Sequence, residues 1–252
     1  MSIDTPTQSE QRFTAYDPWA WLYNQSLGPR YCHDKLPILE QLLLPQLKAG
    51  AQILDLCCGT GQITQQLSGK GYGMTGLDGS EEMLHYARHN APNAQFILAD
   101  ARHFQRLTPV DAAFSVSASL NHILSLAELK QVFKNVYATL HQDGIFLFDL
   151  RLQGDYRNHP LTGGEVQDEY AWAVGESYDS INGIGSFKIT IFYQVDQSWQ
   201  RSDLTYYAKD YAWTDVQAAL EATGFRDVQV YDQRGHLMTP DNHQMVYFLS
   251  RK

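Results

Sequence analysis

The sequence predicts an α/β fold. It is a Rossmann-like, seven-stranded, mostly parallel sheet with helices on both faces, plus an antiparallel β cover inserted after the fifth strand. Three observations predict it. Short apolar runs alternate with helix-like segments from about residue 35 to 150, the pattern of a parallel sheet covered on both sides. A glycine turn, Gly59-Thr60-Gly61, directly follows the first of these runs. After residue 150 the apolar spacing changes to period two, as in Lys188-Ile189-Thr190-Ile191-Phe192-Tyr193, which marks antiparallel strands with one wet face.

In chain order, residues 1–12 are polar and read as a disordered tail, and 13–252 as a single domain with 151–212 as its inserted cover. Residues 36–47 are apolar at helical spacing, with Pro37 and Pro45 suited to helix ends rather than a middle. Residues 52–56 form a buried strand, 62–68 a short helix and 72–77 a second strand. Ser80 is an N-cap with Glu81 and Glu82 in the first turn, where acids favour the helix dipole. Residues 95–99 and 110–116 are the third and fourth strands. Ser125-Leu126-Ala127-Glu128 matches a capping box opening a helix to about residue 140. Asp143-Gly144 then turns the chain into a fifth strand, 145–150. Residues 151–164 read as a loop, followed by strands over 166–174, 186–195 and 199–211. Thr214 is the expected N-cap of a helix that Gly224 ends, and 228–231 and 245–249 are the final strands.

Composition bounds the function. Nineteen Lys and Arg against 28 Asp and Glu give a net charge of −9, which disfavours the phosphate attraction of nucleic-acid binders. The expected partner is a small neutral or cationic molecule. No apolar run approaches the roughly 18 residues of a membrane span. Cys32, Cys57 and Cys58 lack disulfide or zinc spacing, so no metal is expected and a reducing cytoplasm is the expected home.

The glycine turn is the most informative stretch. Glycine lets the backbone approach a ligand closely, and such turns usually carry nucleotides. The dinucleotide motif needs a third glycine three residues after the second, and here Thr64 stands there. Asp55 precedes the glycines, where a carboxylate repels a pyrophosphate and pairs with a cationic group. Asp78 ends the second strand, about 20 residues after the turn, where an acid can accept hydrogen bonds from both ribose hydroxyls. Asp100 ends the third strand and, with the backbone amide of Ala101, can read an adenine edge. Three acids at successive strand ends form one ligand site. Cys57 fills a tight place in the turn rather than acting as a nucleophile.

Asp55, Gly59 and Gly61 resemble the acid-x-x-x-Gly-x-Gly signature of class I S-adenosylmethionine-dependent methyltransferases, over roughly residues 50–150. The resemblance implies S-adenosyl-L-methionine as cofactor and S-adenosyl-L-homocysteine as product. It implies that Gly59 and Gly61 approach the methionine part and that Asp55 lies near its ammonium. Arg30 and Tyr31, opening a helix, can hold the cofactor carboxylate. The Asp/Asn-Pro-Pro-aromatic tetrad of nucleic-acid amine methyltransferases is absent from Ser115-Val116-Ser117-Ala118-Ser119-Leu120-Asn121-His122. The N-terminal Tyr16-Asp17, His122 and the aromatic insert are similar to bacterial small-molecule, sugar-type N-methyltransferases. That similarity implies Tyr16 and His122 as the catalytic pair, orienting and deprotonating an amine, with a histidine pKa near 6.5. Of the aromatics Tyr170, Trp172, Tyr178, Phe187, Phe192, Tyr193, Trp199, Tyr206, Tyr207 and Trp213, one or two are expected to line a substrate pocket. O- or C-transfer, an NAD-dependent oxidoreductase and a non-catalytic cofactor-binding protein are the alternatives. The cover is expected to be a lid or the surface of a homodimer.

Overall fold

The computed structural model describes residues 14–105, 107–158, 162–239 and 245–252, so the expected tail lies outside the described residues. The chain opens with a helical run over 14–46. This holds a 3-10 turn (Thr14–Trp19), α1 (Ala20–Leu22), a π-helical turn (Tyr23–Leu27), α2 (Gly28–Ile38), a second π-helical turn (Leu39–Leu43) and a 3-10 turn (Leu44–Gln46). Pro37 therefore sits inside α2, contrary to expectation. Proline costs one backbone hydrogen bond, and the wider π turn that follows carries the helix on. Pro45 lies in the closing 3-10 turn, as expected.

The main sheet then builds in the expected order. β1 (Gln52–Leu56), α3 (Gln62–Gly69), β2 (Gly73–Asp78), α4 (Glu81–Asn90) and β3 (Gln95–Leu98) make one half. β4 (Val110–Ser115), α5 (Leu126–Thr139) and β5 (Leu140–Arg151) make the other. Ser80 caps α4 through Met83 N–H and Ser125 caps α5 through Glu128 N–H, so both polar N-termini are satisfied by the residues whose type suits them. β5 starts five residues earlier than expected. Asp143, at φ 64°, lies inside it as an irregularity, and the register against β4 shifts there.

Beyond β5 the loop reading of 151–164 gives way to a short α6 (Asp155–Asn158). The cover holds four strands rather than three: β6 (Gly163–Val166), β7 (Tyr170–Asp179), β8 (Ile184–Val195) and β9 (Ser198–Lys209). The single run expected over 166–174 is split by a turn in which Gln167 N–H donates to Tyr170 O at 2.7 Å. α7 (Trp213–Glu221), β10 (Arg226–Tyr231) and β11 (Met245–Arg251) complete the chain. The α7 N-cap is Ala212, not Thr214, and no side chain caps it.

The seven strands lie in the order β10-β11-β5-β4-β1-β2-β3. All pairs from β5 to β3 are parallel, while β11 runs antiparallel to both of its neighbours. Period two divides each strand between two cores: Leu54, Leu56, Phe146 and Phe148 face α5 and α7, whereas Ile53, Ile145 and Leu147 face the α2 side. Each fully buried Phe or Leu contributes about 2–3 kcal/mol. A third core fixes the roof of the molecule. Trp19, Leu22 and Leu27 of the helical run pack between Met83 of α4 and Trp172, Ile189, Ile191 and Leu204 of the antiparallel sheet. The N-terminal run is thus clamped over the carboxyl ends of β1 and β2. Among the described residues, no helix is long and apolar enough to cross a membrane.

Candidate active site

The strand order decides how the site divides. Asp55 on β1, Asp78 on β2 and Asp100 just past β3 stand on one side, while His122 follows β4 and Arg151 ends β5 on the other. A cleft of about 180 Å³ runs across these ends. Of the residues expected at a site, Tyr16, Tyr31, Cys57, Gly59, Asp78, Asp100, Ala101 and His122 line it. Asp55 does not. It faces a smaller cavity of about 30 Å³ behind the glycine turn, to which Tyr31 and Cys57 also contribute.

The turn after β1 is left-handed at Cys57 (φ 63°), Gly59 (φ 54°) and Gly61 (φ 79°). A Cβ on Gly59 would stand 3.4 Å from the Tyr23 ring, in the narrow space between turn and roof. Gly61 is not among the residues lining either cavity, and it has a packing reason to be glycine. Its Cβ would come within 2.9 Å of Ala87 Cβ and 3.0 Å of Ala87 Cα, so only glycine lets α3 start this close to α4. Burial pushes the Cys57 thiol well above its ordinary pKa, which leaves it without thiolate character. Arg30 is exposed and lines neither cavity, its guanidinium 5.7 Å from the Tyr31 ring. One helical step turns about 100°, so with Tyr31 inward Arg30 points away.

The three acids differ in electrostatics. Asp78 accepts Gly59 N–H and Ser80 N–H, each at 2.9 Å. These bonds fix its carboxylate at the cleft wall, yet burial pushes its pKa up to about 6. Asp55 is 3% exposed and accepts the Thr64 hydroxyl at 2.6 Å. Burial pushes its pKa up to about 7. Thr64, the residue in the third-glycine position, is therefore tied to the acid before the turn. Both raised values describe carboxylates in want of a cation. For Asp100, burial alone would act upward, but Arg102 holds it below the ordinary value. Arg102 Nε and Nη2 grip Asp100 at 2.9 and 2.8 Å, and its Nη1 reaches Glu128 at 2.9 Å. No sequence signal predicted that Asp100 is engaged by its own neighbour.

Across the cleft, Tyr16 Oη lies 2.7 Å from His122 Nε2. His122 Nδ1 lies 2.9 Å from the Tyr207 carbonyl oxygen. A carbonyl only accepts, so Nδ1 carries the proton and Nε2 accepts from the tyrosine hydroxyl. Burial pushes the imidazole down to about 4, against a smaller upward pull from the Tyr207 carbonyl. The expected pKa near 6.5 is thereby corrected: His122 is neutral across the physiological range and a weak base. Its neighbour Asn121 is fully buried and pins the loop. Asn121 donates to Arg151 O (3.0 Å) and Lys209 O (2.6 Å) and accepts from Arg151 N–H (3.0 Å). Asp149 accepts Ser117 N–H and Ala118 N–H at 2.9 and 2.7 Å, and pairs with Lys35 at 3.0 Å. These anchors hold two left-handed residues, Ser117 and Ala118, in the β4 loop that presents His122.

Two of the ten insert aromatics, Phe187 and Tyr206, line the cleft. Tyr206 stacks on Tyr16 at 5.7 Å and on Phe187 at 4.9 Å. Arg102, Arg151, Trp19 and Tyr23 also line it and were not singled out as ligand contacts from sequence. Arg151 had a readable signal, since it is the last residue of a parallel strand, where ligands bind.

Residues 53–144 match the model of a methyltransferase domain. The chain is 27% identical over 218 residues to the glycine/sarcosine N-methyltransferase of Aphanothece halophytica, covering 80% of this chain and 76% of that one. Its fold is similar to a crystal structure of an S-adenosylmethionine-dependent methyltransferase from Clostridium acetobutylicum, with TM-score 0.75, 20% identity and coverage of 94% and 99% of the two chains. It is similar also to the sugar N-methyltransferase KedS8 from Streptoalloteichus, with TM-score 0.74, 14% identity and coverage of 100% and 98%. The domain match spans the glycine turn, Asp78 and Asp100, and the strand order and cleft agree with it: residues 53–144 are a methyltransferase domain, in the fold of S-adenosylmethionine-dependent methyltransferases.

Proposed function

We propose that this enzyme methylates the amine of a small molecule. The observation that carries the reading is the Tyr16–His122 pair, 2.7 Å apart, on the far side of the cleft from the three acids. On the acid side, the proposed contacts are Asp78 with the ribose hydroxyls, and Asp100 with the Ala101 amide at the adenine. Gly59 and Tyr31 lie along the methionine part, and Cys57 fills the turn. Asp55 acts on the methionine ammonium by charge from behind the turn. The Gly59 cradle and the two carboxylates raised by burial suit a cationic nucleoside. When bound, the cofactor supplies an electrophilic sulfonium methyl.

The protein's own contribution is alignment and exclusion of water, and alignment alone can supply roughly 7–11 kcal/mol. Tyr16 lines the cleft and gives its proton to His122 Nε2, which leaves its oxygen with acceptor lone pairs. There they accept an N–H of the amine and turn the nitrogen lone pair toward the methyl group. His122, with its pKa near 4, cannot hold a proton from an ammonium of pKa about 10. The amine therefore sheds its proton to solvent before it binds, and His122 serves to orient Tyr16. The faces of Tyr16 and Tyr206 then meet the cationic product. Among similar proteins with a printed acceptor, three are N-methyltransferases and one, 31% identical over 139 residues, is a malonyl-[acyl-carrier protein] O-methyltransferase of Bacillus anthracis. The two cleft-lining arginines are each held in ion pairs with carboxylates, which favours a small molecule over nucleic acid. Three free cysteines suit a reducing cytoplasm.

The test uses methyl-labelled S-adenosylmethionine and a panel of small amines and alcohols. Tyr16→Phe should lower kcat about 10–100-fold, the loss of one hydrogen bond of about 1.5–3 kcal/mol to a nitrogen that becomes charged, with S-adenosylhomocysteine affinity within about twofold of wild type. Labelling of the alcohols alone, or an unchanged kcat in Tyr16→Phe, would refute the amine reading.

A further inference from the structure

We infer that the ring of Tyr23 meets the cofactor's sulfonium and selects that cation over the neutral thioether of the product. The inference rests on the cofactor contacts proposed above. A sulfonium sulfur is bonded to three carbons: the ribose carbon, the methionine chain and the methyl group to be transferred. It therefore lies where the ribose, methionine and acceptor parts of the cleft meet.

Tyr23 borders all three parts. On the methionine side, a Cβ on Gly59 would stand 3.4 Å from Tyr23 Cε1, and the Tyr31 ring centroid is 6.1 Å away. On the ribose side, the charge of Asp78 acts on the Tyr23 hydroxyl. On the acceptor side, the Tyr16 ring stands 6.4 Å away at 88°. Tyr23 lines the main cleft and also the smaller cavity that Asp55 faces. Burial first, then Tyr31 and Asp78, pushes its phenol well above the ordinary pKa. The group is therefore uncharged, and its attraction for a cation comes from the π electrons of the ring.

The backbone holds the ring in advance. Tyr23 opens the π-helical turn Tyr23–Leu27, a wide turn of the kind found at functional sites. The next residue, Asn24, accepts Gln62 Nε2–H at 3.0 Å and Asn90 Nδ2–H at 2.7 Å, and the same Asn90 amide donates to Thr60 O at 2.7 Å. These bonds tie the start of the π turn to α3, to the end of α4 and to the glycine turn itself. A ring already ordered over Gly59 loses little freedom on binding. On transfer the bond from sulfur to the methyl carbon breaks and its electron pair stays on sulfur. The uncharged thioether no longer draws on the ring, which favours exchange of product for fresh cofactor.

The experiment is calorimetric titration of the full chain with S-adenosylmethionine and with S-adenosylhomocysteine, no acceptor being present. It compares Tyr23→Phe with proteins that carry phenylalanine bearing one, two or three ring fluorines at position 23. Fluorine drains the π face and leaves the ring close to its original size. S-adenosylmethionine affinity should fall stepwise, by about 5–30-fold at three fluorines, the range of a desolvated cation–π contact. S-adenosylhomocysteine affinity should stay within about twofold. S-adenosylmethionine affinity that is flat across the series, or that falls in parallel with S-adenosylhomocysteine, would overturn the proposal alone. Failure of S-adenosylhomocysteine to shift the wild-type Gly59 amide by NMR, recorded first, would instead sink the cofactor contacts and this proposal with them.

Discussion

Lowering the pH from 8 to 5 is expected to weaken S-adenosylmethionine binding by about 1000-fold. Burial raises Asp55 to about 7 and Asp78 to about 6, against an ordinary value near 4. A folded value above the unfolded one stabilises the cofactor-free protein fully below about pH 4, and that contribution is lost as pH rises through 6–7. The bound cofactor reverses the preference: its ammonium calls for an ionised Asp55, and two ribose hydroxyls donating to Asp78 call for an ionised acceptor there. At pH 5, Asp55 is about 1% ionised and Asp78 about 10%, which costs about 100-fold and about 10-fold in affinity, together about 4 kcal/mol. At pH 8 both are ionised and the penalty vanishes. Calorimetric titration across pH 5–8, in buffers of different ionisation enthalpy, reads both Kd and the protons released. Asp55→Asn should remove the larger part and leave about a tenfold dependence. A Kd constant within about threefold over this range, or a wild-type slope in Asp55→Asn, would refute the assignment of these carboxylates to the cofactor.

Two further substitutions probe the scaffold. Gly61→Ala places a Cβ against Ala87 at φ 79° and should cost about 2–4 kcal/mol, combining left-handed strain with overpacking. Thermal unfolding checks it, and an unchanged Tm would mean that α3 and α4 separate freely. Asn121→Leu removes three hydrogen bonds to buried backbone and should cost about 3 kcal/mol. It should also lower kcat more than it weakens S-adenosylhomocysteine binding. Equal losses in both would make Asn121 a general stabiliser rather than the anchor of the His122 loop.

The sheet was legible because its signals are local. Buried strands read as apolar runs, Ser80 and Ser125 cap by side-chain chemistry within three residues, and Asp55, Asp78 and Asp100 stand at strand ends by spacing alone. The misreadings fall where local rules compete with packing. Pro37 stays in its helix, β5 absorbs Asp143, and Ala212 rather than Thr214 caps α7, because tertiary contacts outweigh propensities of about 1 kcal/mol.

The sequence by itself determined the order of strands and helices in the main sheet, the glycine turn and the acids beside it, since each depends on neighbours within a few residues. Only the tertiary structure decided what those groups do to one another. Tyr16 and His122 are 106 positions apart, and they meet because the third core clamps the N-terminal run under the antiparallel sheet. Asp100 is engaged by Arg102, and His122 falls from an ordinary base to a pKa near 4. Desolvation and hydrogen-bond geometry set these properties, and both come from the whole fold rather than from the residues along the chain.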